Sequence, residues 1–154
     1  GYVGKPNRVD SKLLKEIIKE DFIPVIVPMG LDEKGISYNI NADTAAGAIA
    51  RSIKSRRLML LTDIDGVLDN NDKLISEINT MEANELINNE VIHGGMIPKV
   101  KTCIDAINNG VRAVVIIDGR KPHSILFELF SDKGAGTLIR KWKIFGQLNF
   151  GFLI

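Results

Sequence analysis

A helical run that stops at Asn109-Gly110 passes straight into Val111-Arg112-Ala113-Val114-Val115-Ile116-Ile117, and this apolar run breaks at Asp118-Gly119. Gly just past a helix readily takes the left-handed conformation that ends it, and a β-branched run between such breakers reads as a strand. The same alternation recurs along the chain. Leu13, Leu14, Ile17 and Ile18 predict an amphipathic helix over 11–20 with Ser11 as its cap. Residues 22–27 predict a buried strand in spite of Pro24, 31–35 a turn, and 36–40 a hairpin partner. A helix over 43–53 places Ala45, Ala46, Ile49 and Ile53 on one face, and 58–61 is the next buried strand. A polar turn with a short strand at Leu74-Ile75 follows, then a helix over 80–88 capped by Thr80 with Met81, Leu86 and Ile87 inward. Residues 98–108 form a longer helix, 122–130 a last one with Pro122 at its first position, and 137–139 a strand that closes the sheet. Strands alternating with helices imply right-handed crossovers, hence an α/β fold with a mostly parallel sheet covered on both faces. Ligands of such sheets bind beyond the carboxyl ends of the strands.

The 154 residues make one domain by length, and 45% hydrophobic with 25% charged residues is an ordinary globular balance. A net charge of +1 provides no strong field for nucleic acid or an acidic membrane. Cys103 has no second cysteine to pair with and lies in an apolar helical pattern with Val100, Ile104 and Ile107, so it reads as a buried, inert thiol. No signal peptide or spanning segment is visible, and the expected location is cytoplasmic.

Three stretches carry chemistry. Tyr38-Asn39-Ile40-Asn41-Ala42-Asp43 sets two amides and a carboxylate where a strand meets an Ala-rich helix. One of them can cap the helix, which leaves the others to face a ligand. Thr62-Asp63-Ile64-Asp65-Gly66-Val67-Leu68 is a strand end running into a polar turn. Two carboxylates two residues apart do not amount to a metal cage, so no protein metal site is expected there. In Gly94-Gly95-Met96-Ile97-Pro98-Lys99, a glycine loop opens a helix with a lysine in its first turn. The helix dipole disfavours a cation there unless an anion fills the site, and phosphate oxygens on the backbone N–H groups would do so. The plain alternatives are a helix cap, a strand-ending Asp-Gly turn and a solvated lysine.

In this order, the three stretches resemble the amino acid kinase family, and within it the acetylglutamate kinases, over residues 1–140. The resemblance implies a three-layer, carbamate kinase-like fold, of which residues 1–140 would be the C-terminal nucleotide-binding portion and 141–154 an apolar tail. The family's N-terminal half, with a second lysine, a substrate loop and a carboxylate-gripping arginine, has no counterpart in these residues. By resemblance, Lys99 stabilises the transferring phosphoryl group, Asp43 orients the catalytic lysine, Asn39 contacts N-acetyl-L-glutamate, and Asn41 lies nearer the phosphates. Thr62, Asp63, Ile64, Asp65, Gly66, Val67 and Leu68, with Val91, Ile92, His93 and Gly95, would hold ATP, brought in as Mg-ATP. Glu128 and Gly134 match an arginine-sensing stretch. The implied activity is phosphorylation of the N-acetyl-L-glutamate side-chain carboxylate, a step of arginine biosynthesis, with this portion alone inactive. Apolar surface that the other half would cover implies self-association. The alternatives are a non-catalytic nucleotide-binding or regulatory module, or a family member acting on another carboxylate, carbamate or a nucleoside monophosphate.

Overall fold

The computed structural model describes residues 1–142, and the expected tail lies almost wholly outside the described residues. The chain runs β1 (Val3–Gly4), α1 (Lys12–Lys19), β2 (Met29–Leu31), β3 (Ser37–Ile40), α2 (Ala42–Ile53), β4 (Arg57–Thr62) and β5 (Glu77–Asn79). It continues through α3 (Thr80–Asn88), α4 (Met96–Asn108), β6 (Ala113–Asp118), α5 (Ser124–Phe130) and β7 (Gly136–Arg140). Two sheets result: β1-β3-β2, and a larger one in the order β4-β6-β7-β5.

The larger sheet is mixed. β4 pairs with β6 in parallel from Arg57↔Ala113 to Thr62↔Asp118, and β5 pairs with β7 in parallel, but β7 runs antiparallel to β6. The seven residues of α5 reach only about 10 Å, against about 20 Å for a six-residue strand. The helix alone does not span the sheet, and β7 enters beside the end of β6, with Gly136 opposite Ile117, and runs back along it. β7 also lies inside the sheet rather than closing its edge.

Helices α2, α3 and α4 cover one face of this sheet. Leu58, Leu60, Val114, Ile116 and Ile139 meet Val100, Cys103, Ile104 and Ile107 of α4, Ala50 of α2 and Ala83 of α3 in one buried cluster. The α4 residues recur every three or four positions, the spacing of a helix with one apolar face. On the other face Val115 and Ile117 are fully buried, but α5 covers little else: Leu61 and Phe127 remain about half exposed.

Several local expectations fail for identifiable reasons. Residues 22–27 form no strand, and Ile23 and Val25 are 90% and 94% exposed. Pro24 and Pro28 remove two backbone donors there, and the strand shifts to Met29–Leu31, which pairs antiparallel with β3 as the expected hairpin. The strand expected at Leu74-Ile75 is a single bridge, Leu68↔Leu74, and the ladder starts at Glu77. The α3 cap is Asn79, not Thr80: its side chain accepts from the N–H groups of Met81 and Glu82, while Glu82 returns a bond to the Asn79 N–H, a complete capping box. Met81 faces solvent, and Ala83 takes the inward position. Pro122 does not open α5, because His123 adopts φ 59° and the helix begins only at Ser124. At α1 the Asp10 carboxylate, not Ser11, accepts from the Lys12 N–H.

Candidate active site

Topology selects one edge of the larger sheet. β4 and β6 are parallel, so both end there, and α2 and α4, which precede them, both begin there. The α3–α4 connection returns to the same edge. Two strand ends, two helix N-termini and a loop thus converge, the arrangement in which α/β sheets bind ligands.

At the helix starts, the Lys99 ammonium donates to an Asp43 carboxylate oxygen at 2.6 Å. The pair is partly buried, with the side chains 15% and 28% exposed. Asn41 caps α2: its side-chain oxygen accepts from the Thr44 N–H at 3.1 Å and the Thr44 hydroxyl at 3.3 Å. That leaves Asp43, in the first turn, to reach α4. Lys99 sits where the dipole disfavours a cation, and the Asp43 charge compensates while fixing the direction of the ammonium. The expected pairing of these two residues is therefore present as a direct contact.

Beside the pair opens a cavity of about 550 Å³, within the usual range for small-molecule sites. Thr62, Asp63, Ile64, Gly66, Val67 and Leu68 line it from one side, Val91, Ile92, His93 and Gly95 from the other, and Lys99 reaches it too. Of the residues assigned to the nucleotide, Asp65 alone does not line the cavity. It turns away to an ion pair with Lys121 at 2.6 Å. Around Gly94 and Gly95 a side chain would meet nothing within 4 Å, so a ligand can approach this backbone closely. The α4 N-terminus has no side-chain cap, but the Met96 N–H donates to the His93 carbonyl at 3.2 Å, the Ile97 N–H to the Gly94 carbonyl at 3.3 Å, and Pro98 has no N–H. The donors that can face an anion are therefore those of Gly94 and Gly95 in the turn before the helix.

The lining also includes Asp69, Asp72 and Met96, which sequence reasoning did not single out. Asp69 is a turn former: its carboxylate accepts from the N–H groups of Asn71 and Lys73, which holds it below the ordinary carboxylate range. The Asp-Asn-Asn-Asp run was the available signal for that turn. Another missed group lies behind the loop. Asp118, at the end of β6, is buried and takes three bonds from Arg120, whose guanidinium holds the carboxyl down at about 2.

Asn39 lies on β3, exposed, and neither it nor Asn41 lines the cavity. Gly134 and Glu128 come together: Glu128 accepts from the Ala135 N–H at 2.8 Å, and the Arg57 guanidinium lies 3.5 Å from its other oxygen. A side chain at Gly134 would run into that carboxylate. Cys103 is fully buried, and desolvation raises its thiol to about 12, well away from nucleophilic chemistry. Among the described residues, no group of three His, Cys, Asp or Glu side chains is placed to hold a metal, and no helix is long and apolar enough to cross a membrane.

Comparison with known proteins agrees with this fold. The chain is 61% identical over 141 residues to an acetylglutamate kinase of Pelagibacter ubique, covering 92% of this chain and 49% of that one. It is 52% identical to an acetylglutamate kinase of a Bradyrhizobium strain, covering 92% and 47%. The chain thus spans about half the length of the curated relatives it matches. Among solved structures, an N-acetylglutamate synthase from Neisseria gonorrhoeae, complexed with coenzyme A and L-arginine, superposes with a TM-score of 0.86 at 26% identity, over 92% of this chain and 33% of that one. A carbamate kinase from Giardia lamblia shares the fold, with a TM-score of 0.65 at 21% identity over 90% and 46%. Residues 1–118, which hold Asp43, Lys99 and the whole cavity lining, match the amino acid kinase family, and the chain belongs to that family.

Proposed function

We propose that this chain is the nucleotide-binding portion of an acetylglutamate kinase, transferring the γ-phosphoryl group of ATP to the side-chain carboxylate of N-acetyl-L-glutamate in arginine biosynthesis. The observation that carries the reading is the Lys99–Asp43 pair at the mouth of a cavity lined by a glycine turn and a helix N-terminus. The acetylglutamate kinases that match at 52–61% identity support the choice of substrate.

The acceptor carboxylate supplies the attacking oxygen. A new O–P bond forms to the γ-phosphorus, the bridge to the β-phosphate breaks, and ADP leaves with the electron pair. No protein nucleophile is needed, so catalysis consists of positioning and charge stabilisation. Lys99 would meet the charge that develops on the equatorial oxygens, held in direction by Asp43. The N–H groups of Gly94 and Gly95 would take phosphate oxygens, and residues 62–68 and 91–93 would enclose the nucleotide. Magnesium would enter on the phosphates as Mg-ATP. Asn39 would contact the acetylated substrate from β3. The substrates imply a cytoplasmic location, and the exposed apolar side chains of α5 and residues 22–27 favour self-association. L-Arginine as an effector at Glu128 and Gly134 is a second reading, favoured by the Arg57 guanidinium that already lies 3.5 Å from the Glu128 carboxylate.

Calorimetric titration of this chain with Mg-ATP is expected to show weak saturable binding. A coupled ADP-release assay with acetylglutamate is expected to show negligible turnover, because Lys99 is the one lysine or arginine lining the cavity among the described residues and neither Asn39 nor Asn41 lines it. Absence of saturable binding would sink the nucleotide reading. Turnover near that of the longer relatives would show that these residues suffice for the whole reaction.

A further inference from the structure

Thr137 opens the strand expected over 137–139, far in sequence from the nucleotide residues. In the structure its side chain reaches the cavity loop. Thr137 is fully buried on β7, in register with Ile116 on β6. Its hydroxyl oxygen accepts from the Val67 N–H at 2.8 Å and donates to the Ile75 carbonyl at 2.7 Å. The hydroxyl thus binds both arms of the 63–75 excursion, which are also joined by Ile75 N–H to the Val67 carbonyl at 2.9 Å. Gly66, at φ 146°, lies so close that an added Cβ would stand 2.6 Å from the hydroxyl oxygen. Glycine at 66 and threonine at 137 therefore fit as a matched pair.

We propose that Thr137 is a positioning residue for nucleotide binding, acting through Val67 to hold residues 63–68 against the cavity. The inference rests on the nucleotide reading above. β7 lies between β6 and β5, so the backbone carrying Thr137 is fixed on both sides. The hydroxyl transfers that fixity to a loop whose own bonds are mostly internal turns. A threonine present only to fill the core would need its methyl group and not its hydroxyl.

The test compares Thr137→Val, which keeps the shape and removes the hydroxyl, with Thr137→Ser, which keeps the hydroxyl. Val115→Ala serves as a destabilised control, because Val115 is fully buried on the opposite face of the sheet and does not touch the loop. Titration with Mg-ATP is done at a temperature where all are folded. Thr137→Val leaves the Val67 N–H buried and unpaired and is expected to weaken binding about tenfold. Thr137→Ser should stay close to the parent value, and Val115→Ala should lower the melting temperature without moving affinity. Equal binding by Thr137→Val, equal weakening by Val115→Ala, or failure of Thr137→Val to fold would overturn the inference and leave Thr137 as a core residue. If the parent chain binds no Mg-ATP, it is the nucleotide reading that fails. The loop is then read by amide exchange at Gly66 and Val67, which Thr137→Val should accelerate and Val115→Ala should not; equal exchange in both would again overturn the inference.

Discussion

Lys99→Ala, made in a chain extended to the full length of the acetylglutamate kinases it matches, is expected to lower turnover by about 10²–10³. The Kd for Mg-ATP should change by less than about tenfold, because an interaction that strengthens only in the transition state appears in kcat rather than in ground-state binding. The reason lies in the geometry. The Lys99 ammonium is not free to wander toward whichever phosphate is bound, since Asp43 holds it at 2.6 Å from one side. A cation fixed in this way stabilises best the charge distribution that it already faces. Asp43→Asn should then reproduce part of the loss by freeing the lysine. Steady-state kinetics with parallel titration separates the outcomes. A large loss of nucleotide affinity with turnover per bound ATP intact would reassign Lys99 to ground-state binding.

Gly136→Ala is expected to cost about 3 kcal/mol of stability. Gly136 pairs with Ile117 across the antiparallel β6–β7 ladder and is buried. A Cβ at that position would collide with the Ile116 carbonyl oxygen and stand 2.8 Å from the Ile117 side chain. Both belong to the most buried strand of the molecule and cannot yield without opening the ladder. For a domain of this size the loss corresponds to a fall in melting temperature on the order of 10 °C. A thermal unfolding scan that finds Gly136→Ala as stable as the parent would mean that β7 is not seated in this register. Because Thr137 follows on the same strand, nucleotide affinity measured well below the transition should fall as well.

Much of the fold was legible because a few elements have unambiguous patterns. The apolar run before Asp118 and the repeat Val100, Cys103, Ile104, Ile107 admit only a buried strand and a one-faced helix, and both are present. The Lys99–Asp43 encounter followed from resemblance alone, since spacing does not bring together side chains 56 residues apart. What was not legible depended on partners outside the local window. Residues 22–27 have strand composition but no neighbour to pair with among the described residues, and propensity does not form a ladder by itself. The choice of Asn79 over Thr80 as cap turned on Glu82 being able to return the bond. The antiparallel turn-back of β7 depended on its pairing with β6 on one side and β5 on the other, partners that no local pattern names. Asn41 spends its side-chain oxygen on the Thr44 N–H, a role available to any helix-entry asparagine and one that sequence does not separate from ligand binding.

The two sheets differ in depth, and this has a consequence for the order in which a site built across them can work. The β1-β3-β2 sheet has strands of two, four and three residues and contributes Ile40 to the buried core, while α1 buries none of its residues. Such a unit opens at a fraction of the free energy needed to unfold the whole, whereas β4, β6 and α4 open only in global unfolding. The cavity proposed for the nucleotide therefore belongs to the persistent unit, and Asn39, on β3, to the labile one. If the site works as proposed, a molecule divided in this way would keep its phosphate cradle through most of its fluctuations and re-form its acceptor side each time. Ordered addition, nucleotide before carboxylate, would then be a property of the scaffold and require no signal passing between the two ligands.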